Sequence, residues 1–116
     1  MNFISLFRSR MATDPLDTIF SALADPTRRR ILEKLKSRDY TIMELSALFD
    51  MSLPAVSKHL KILDQANLLK KEKEGKYTVC RYNPKTFGKA IKWIDKQYQF
   101  WNDGFDSLEK LMDQNK

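Results

Sequence analysis

The stretch Asp50-Met51-Ser52-Leu53-Pro54-Ala55-Val56-Ser57-Lys58-His59-Leu60-Lys61-Ile62-Leu63 decides the fold. It opens on a three-residue connection, Asp50-Met51-Ser52, in which Ser52 is suited to cap a helix. Pro54 sits in the first helical turn, where its missing N–H costs nothing. A helix is therefore predicted from about 53 to 64. At 100° per residue Leu53, Val56, Leu60 and Leu63 converge on one face, which makes that face the buried one. Pro54, Ser57, Lys58 and Lys61 converge on the other, leaving an outward face that is small, hydroxylic and basic and carries no acid.

Upstream, Asp39-Tyr40-Thr41 interrupts a helical pattern. Thr41 is followed three residues later by Glu44, the spacing of a capping box, and Ile42, Leu45, Leu48 and Phe49 supply a buried stripe. Asp25-Pro26 starts another helix over roughly 26–36, with Ile31, Leu32 and Leu35 inward and Arg28, Arg29, Lys34 and Lys36 on the other side. Asp14-Pro15 repeats that start signal for a first helix over 14–24, whose Leu16, Ile19, Phe20 and Leu23 fall at i, i+3, i+4 and i+7.

Downstream the period changes. Tyr77, Val79 and Arg81 alternate with Thr78, Cys80 and Tyr82, a β-branched and aromatic run. Two strands, Leu68–Lys73 and Tyr77–Tyr82, are predicted around a Glu74-Gly75 turn. Asn83-Pro84 opens a last helix. In it Phe87, Ile91, Ile94, Tyr98, Trp101, Phe105, Leu108 and Met112 follow at alternating steps of four and three, an a/d seam of more than three heptads. Gly104 lowers helix propensity within that seam by about 1 kcal/mol relative to Ala, so a bend or break is an open alternative there.

The chain has 116 residues, a size that suits one domain. It is too short for a catalytic barrel or a two-domain enzyme. With 3 Gly and 4 Pro it has few turns, which fits a mainly helical fold. The single Cys80 precludes an internal disulfide and suits a reducing cytoplasm. One Cys and one His do not make a zinc site within a subunit, so no metal and no cofactor are expected. Residues 1–13 read as an N-terminal extension, either from an upstream start ahead of Met11 or as an arm on a partner subunit. Residues 113–116 read as a C-terminal tail. No run is apolar over the roughly 18–20 residues that cross a bilayer, so no membrane partner is expected. No carboxylate pair beside a His, nucleophile elbow or Gly-rich phosphate loop appears, and no enzyme activity is expected.

Two short helices, a tight turn, an outward-facing basic helix and a basic hairpin compose a helix-turn-helix with a wing over residues 14–112. The net charge of +6 favours a polyanionic partner. Residues 52–82 hold seven basic residues against three acids, +4 of that total. A helix fits the major groove, and small residues in its first turn permit close approach to base edges. Ser52, Pro54, Ala55, Ser57, Lys58 and Lys61 on this helix, Thr41 ahead of it, and Lys73, Lys76 and Arg81 on the hairpin are the candidate DNA contacts. His59, at the edge of the apolar face, is either a phosphate or base contact or a structural hydrogen-bonding group. Tyr77 and Arg81 either shape the wing or touch DNA.

Ala24-Asp25-Pro26-Thr27-Arg28-Arg29-Arg30-Ile31-Leu32, the helix from Ser52 to Leu63 and the segment Ala66-Asn67-Leu68-Leu69 with Glu74-Gly75-Lys76 and Tyr82 together resemble the ArsR/SmtB-type winged helix-turn-helix repressors. The resemblance implies a homodimer formed by the first and last helices, through Leu16, Ile19, Phe20, Leu23, Phe87, Ile91, Ile94, Tyr98, Trp101, Phe105 and Leu108. It implies a cytoplasmic transcriptional regulator, usually a repressor, on a pseudo-palindromic double-stranded DNA operator. Helix 53–64 would lie in the major groove and hairpin 68–82 on adjacent backbone. Metal-sensing members carry Cys ligands in the third helix, where this chain reads Thr41-Ile42-Met43-Glu44-Leu45-Ser46-Ala47-Leu48. Others carry His with acids in the last helix, where this chain has Asp95, Asp103 and Asp106 without His. The sequence thus resembles the non-metal-sensing branch. An effector, small molecule or protein, is left open. The rival reading is a winged helix that docks on an acidic protein. A third is double-stranded RNA or non-specific DNA binding.

Overall fold

The computed structural model describes residues 14–114, so the expected extension over 1–13 and the final two residues of the expected tail lie outside it. Helix α1 spans Pro15–Leu23 and α2 Pro26–Ser37. Each is capped by the Asp before its proline. Asp14 accepts from the Leu16 N–H at 3.0 Å and Asp25 from the Arg28 N–H at 3.0 Å. The corner between them is closed from the other side. Arg28 donates through Nε to the Ala22 carbonyl (2.7 Å) and through Nη2 to that of Ser21 (3.1 Å), and Arg29 donates to Leu23 (2.6 Å). The last carbonyls of α1, which have no partner within the helix, thus receive cationic donors.

Strand β1 is Tyr40–Thr41 and α3 is Ile42–Phe49. Both halves of the capping box form: Thr41 Oγ1 accepts from the Glu44 N–H (3.1 Å) and Glu44 accepts from the Thr41 N–H (3.0 Å). Helix α3 ends where Asp50 turns left-handed at φ 50°. The Met51 N–H then reaches back to the Ser46 carbonyl and the Asp50 N–H to that of Ala47, a Schellman pattern that reverses the chain within a few residues. Helix α4, Leu53–Gln65, follows with Ser52 as its cap. Its end repeats the device: Asn67 is left-handed at φ 58°, the Leu68 N–H bonds Leu63 and the Asn67 N–H bonds Asp64. Leu68, fully buried, lies over the end of α4 and leads into the sheet.

Strands β2, Leu69–Glu74, and β3, Tyr77–Tyr82, are antiparallel with Leu69 opposite Tyr82 and Glu74 opposite Tyr77. The turn is Gly75-Lys76, one residue later than the sequence reading, with Gly75 at φ +61° in the position that needs left-handed backbone. The sequence reading also missed β1. It pairs with the free edge of β3 (Tyr40 opposite Cys80, Thr41 opposite Val79), giving a three-stranded sheet in the order β1-β3-β2. Two residues are too few to show a period of two, and Tyr40 is further held by the Arg38 guanidinium 3.7 Å from its ring centroid.

Ile31, Leu32 and Leu35 of α2, Leu45 of α3, Val56, Leu60 and Leu63 of α4, and Leu69 and Cys80 of the sheet form one core with Ile19 and Ala22 of α1. Ile19 is 1% exposed within the single chain. It is therefore a core residue and not the subunit contact expected of it; the apolar stripe of α1 is wide enough for its centre to be consumed inside the protomer. Leu23 and Phe87, also expected at the interface, pack on the same core.

Helix α5 runs Pro84–Gln114, continuous through Gly104. Near its start Phe87 stacks 5.8 Å from Tyr82 and Ala90 is buried, and Trp93 meets Phe20 of α1 edge-on at 5.8 Å. Beyond that the helix projects past the core. Ile91, Ile94, Tyr98, Trp101, Phe105 and Leu108 are each 50–62% exposed.

Candidate nucleic-acid interface

Helix α4 divides its side chains as its sequence predicts, with one exception. Val56, Leu60 and Leu63 are fully buried, and Pro54, Ser57, Lys58 and Lys61 are exposed. Leu53, predicted on the buried face, is 46% exposed. Helical side chains lean toward the N-terminus, so a first-turn residue on the core side reaches past the core edge instead of into it.

Ser52 Oγ accepts from the Ala55 N–H at 3.3 Å. Its hydroxyl proton and that of Thr41, whose oxygen is likewise used as a cap, remain able to donate to a phosphate. Ala55 is half-buried beside them. The opening of α4 thus offers the Ser52 hydroxyl and the positive end of a thirteen-residue helix, with the Thr41 hydroxyl at the cap of α3.

His59 turns away from this surface. Its Nδ1 lies 3.4 Å from Arg28 Nη1 and 3.9 Å from the Asp25 carboxylate, and its side chain is only 21% exposed. The structure gives it a hydrogen-bonding place between α4 and the α1–α2 corner. Asp25 itself is held below the usual carboxylate range, first by the Arg28 N–H and then by nearby positive charge.

The wing separates its charges by face. Lys71 and Lys73 alternate with Glu72 and Glu74 along β2, so these two lysines point away from the acids, while Lys70, opposite Arg81, shares the acids' face. On the acidic side lies Arg81, which donates to Asp39 (2.9 Å), Glu72 and Glu74. These partners hold its guanidinium firmly protonated, above its usual range, with Glu74 contributing most. Arg81 therefore shapes the wing: it clamps β2, β3 and the loop before β1, and it pairs both wing acids and offsets part of their charge. Lys58, Lys61, Lys73 and Lys76 form no ion pair among the described residues.

The sequence reading did not single out Met43. It stands out of phase with the inward Ile42 and Leu45, and that phase is the signal of its exposure; it is 62% exposed beside Leu53. Cys80 is fully buried, and burial pushes its thiol up to about 11. No cluster of three or more His, Cys, Asp or Glu side chains that would hold a metal occurs among the described residues. None of the described helices is long and apolar enough to cross a membrane.

A basic, acid-free helix face, a tight turn supporting it and a hairpin of unpaired lysines beside it define a winged helix-turn-helix DNA-binding domain. The comparisons with known proteins agree. The family model "Bacterial regulatory protein, arsR family" matches residues 25–71. The transcriptional repressor SdpR of Bacillus subtilis is 33% identical over 93 residues, 80% of this chain and 100% of that protein. An ArsR-like transcriptional regulator from Rhodococcus sp. RHA1 superposes with a TM-score of 0.73 at 25% identity, covering 84% of this chain and 92% of that one. The fold also matches, at a TM-score of 0.62 and 20% identity, the homodimeric winged helix-turn-helix DNA-binding domain Mb0332 of Mycobacterium bovis, over 79% and 85% of the two chains. The chain belongs to the ArsR family of bacterial transcriptional regulators.

Proposed function

We propose that the protein is a homodimeric repressor that binds a pseudo-palindromic operator in the cytoplasm, with α4 in the major groove and the wing on the adjacent backbone. One observation carries this reading: the exposed, acid-free face of α4 bears Ser57, Lys58 and Lys61, and Lys76 of the wing lines a groove with Leu53 and Ser57 of that helix, while the apolar seam of α5 lies exposed on a separate helix. One surface suits a polyanion and the other a copy of itself. An apolar patch of that extent on a soluble chain marks an interaction site, and a twofold partner would present a second α4 to a second half-site. The homodimeric structural relative supports the same assembly.

The reading further assigns the protein to the branch without a resident metal and without enzyme activity. Cys80 is sequestered in the core and His59 is engaged with Arg28, which leaves neither available as a metal ligand.

Binding to fragments selected from its own genome, measured by anisotropy against unrelated competitor DNA, tests the function. Ser57→Ala with Lys58→Ala is expected to weaken operator binding and leave the dimer intact. Full affinity in that variant would show that another face reads DNA. Sedimentation as a monomer near 13.7 kDa at micromolar concentration would remove the dimer.

A further inference from the structure

Between α3, α4 and the wing lies an open groove of about 220 Å³. Ile42 and Met43 come from α3, Leu53 and Ser57 from α4, and Lys76 and Tyr77 from the wing. Its walls are unlike the rest of the basic face. Met43 is 62%, Leu53 46% and Tyr77 55% exposed, three large apolar side chains left in water where the surface is otherwise lysine and hydroxyl.

We infer that this groove is a thymine reader: Leu53, with Met43 and Tyr77 beside it, receives the C5-methyl group of one thymine in each operator half-site. The inference rests on the DNA reading above and deepens it. Lys76 at the groove's rim and Lys58 on the same helix favour a polyanionic occupant over an apolar peptide. Among the atoms that a duplex presents in its major groove, the thymine methyl is the apolar one, and apolar side chains are its natural contact. Leu53 is the first residue of α4, the end of a recognition helix that meets base edges. Ser57, one turn further on, supplies a hydroxyl for the neighbouring base edge. The methyl therefore enters an apolar wall while polar edges keep polar partners, and a cytosine or uracil at that position leaves the wall facing water.

The test uses the full chain and an operator selected from the genome, with each thymine replaced in turn by deoxyuridine, which removes only the methyl. One position per half-site is expected to lose about fourfold in affinity, or about fifteenfold when both half-sites are changed, the effect of burying one methyl-sized group. Leu53→Ala, at an exposed position, is expected to bind the uracil and thymine operators equally, and Leu53→Met to keep the difference. Circular dichroism confirms that both variants are folded. Operator binding indifferent to every thymine methyl overturns this inference alone, as does a Leu53→Ala protein that still discriminates. If the wild-type chain binds no genomic fragment specifically, the DNA reading falls and this inference with it.

Discussion

The division of charge on the wing makes a quantitative prediction about salt. Lys58, Lys61, Lys73 and Lys76 form no ion pair among the described residues. If each meets one phosphate, the proposed dimer neutralises eight. Counterion release then gives log K a slope of about −7 against log salt, a loss of about four decades between 50 and 200 mM. Lys73→Ala with Lys76→Ala removes four of the eight contacts and is expected to bring the slope to about −3.6 and the loss to about two decades. Arg81 behaves differently although it is also a wing cation, because its guanidinium is already shared by Asp39, Glu72 and Glu74. Arg81→Gln is expected to weaken binding by unpairing Glu72 and Glu74 and making the wing more negative, and adding Glu72→Gln and Glu74→Gln is expected to restore it. Anisotropy titrations at five salt concentrations measure every slope. An unchanged slope in the double lysine variant would refute the placement of the wing. A triple variant no better than Arg81→Gln would refute the role of Arg81 in offsetting the wing acids.

Three further outcomes are expected. Leu60→Ala, which opens a cavity at a fully buried position of α4, is expected to cost about 2–5 kcal/mol in urea unfolding at fixed protein concentration; a loss below 1 kcal/mol would mean that α4 is not seated in this core. Cys80, with its thiol pushed up to about 11 by burial, is expected to hold on the order of a hundredfold less thiolate at pH 8 than the unfolded chain and to resist thiol reagents until urea is added; prompt labelling of the native protein would contradict its burial. Asp25 is depressed chiefly by the Arg28 N–H, and Glu44 by the Thr41 N–H followed by the Arg38 guanidinium. A depressed carboxylate stabilises above its unfolded pKa and loses that contribution as pH falls through its lower folded value. The melting temperature of Asp25→Asn/Glu44→Gln is thus expected to trail wild type at pH 6 and to converge with it below about pH 4; a gap that persists in acid would show that the caps do not act through charge.

The helices were legible because each carries its own start signal. Asp14-Pro15, Asp25-Pro26, Thr41 with Glu44, and Ser52 ahead of Pro54 are local patterns, and local patterns survive in a one-dimensional reading. What the sequence hid depends on distant partners. Strand β1 exists because the edge of β3 lies beside it, a contact between residues some forty positions apart. Ile19 belongs to a stripe that two surfaces could use, and periodicity does not say which surface takes the centre. Arg81 looks like a wing cation until Asp39 arrives from across the sheet. Leu53 fits the buried phase of α4, yet the end of the helix lies outside the core. In the candidate site the lysines were readable from composition and phase, whereas the apolar wall between them required three elements to be brought together.

Reading two half-sites at once requires that each recognition helix be fixed relative to the surface that joins the protomers. The contacts supply that fixture in a short series. Trp93 on α5 packs edge-on against Phe20 of α1. The C-terminal carbonyls of α1 are held by Arg28 and Arg29 of α2, and the same Arg28 guanidinium reaches His59 on α4. Core side chains of α1, α2 and α4 fill the space beneath. A guanidinium suits this corner because its planar fork offers several donors in fixed directions, which a lysine at position 28 would not reproduce. The Asp-Pro-Thr-Arg-Arg run is thus more than a helix start. It closes one helix, opens the next and braces the helix proposed to enter DNA, so in the proposed dimer a seam on α5 would set the spacing between two readers and this corner would transmit it.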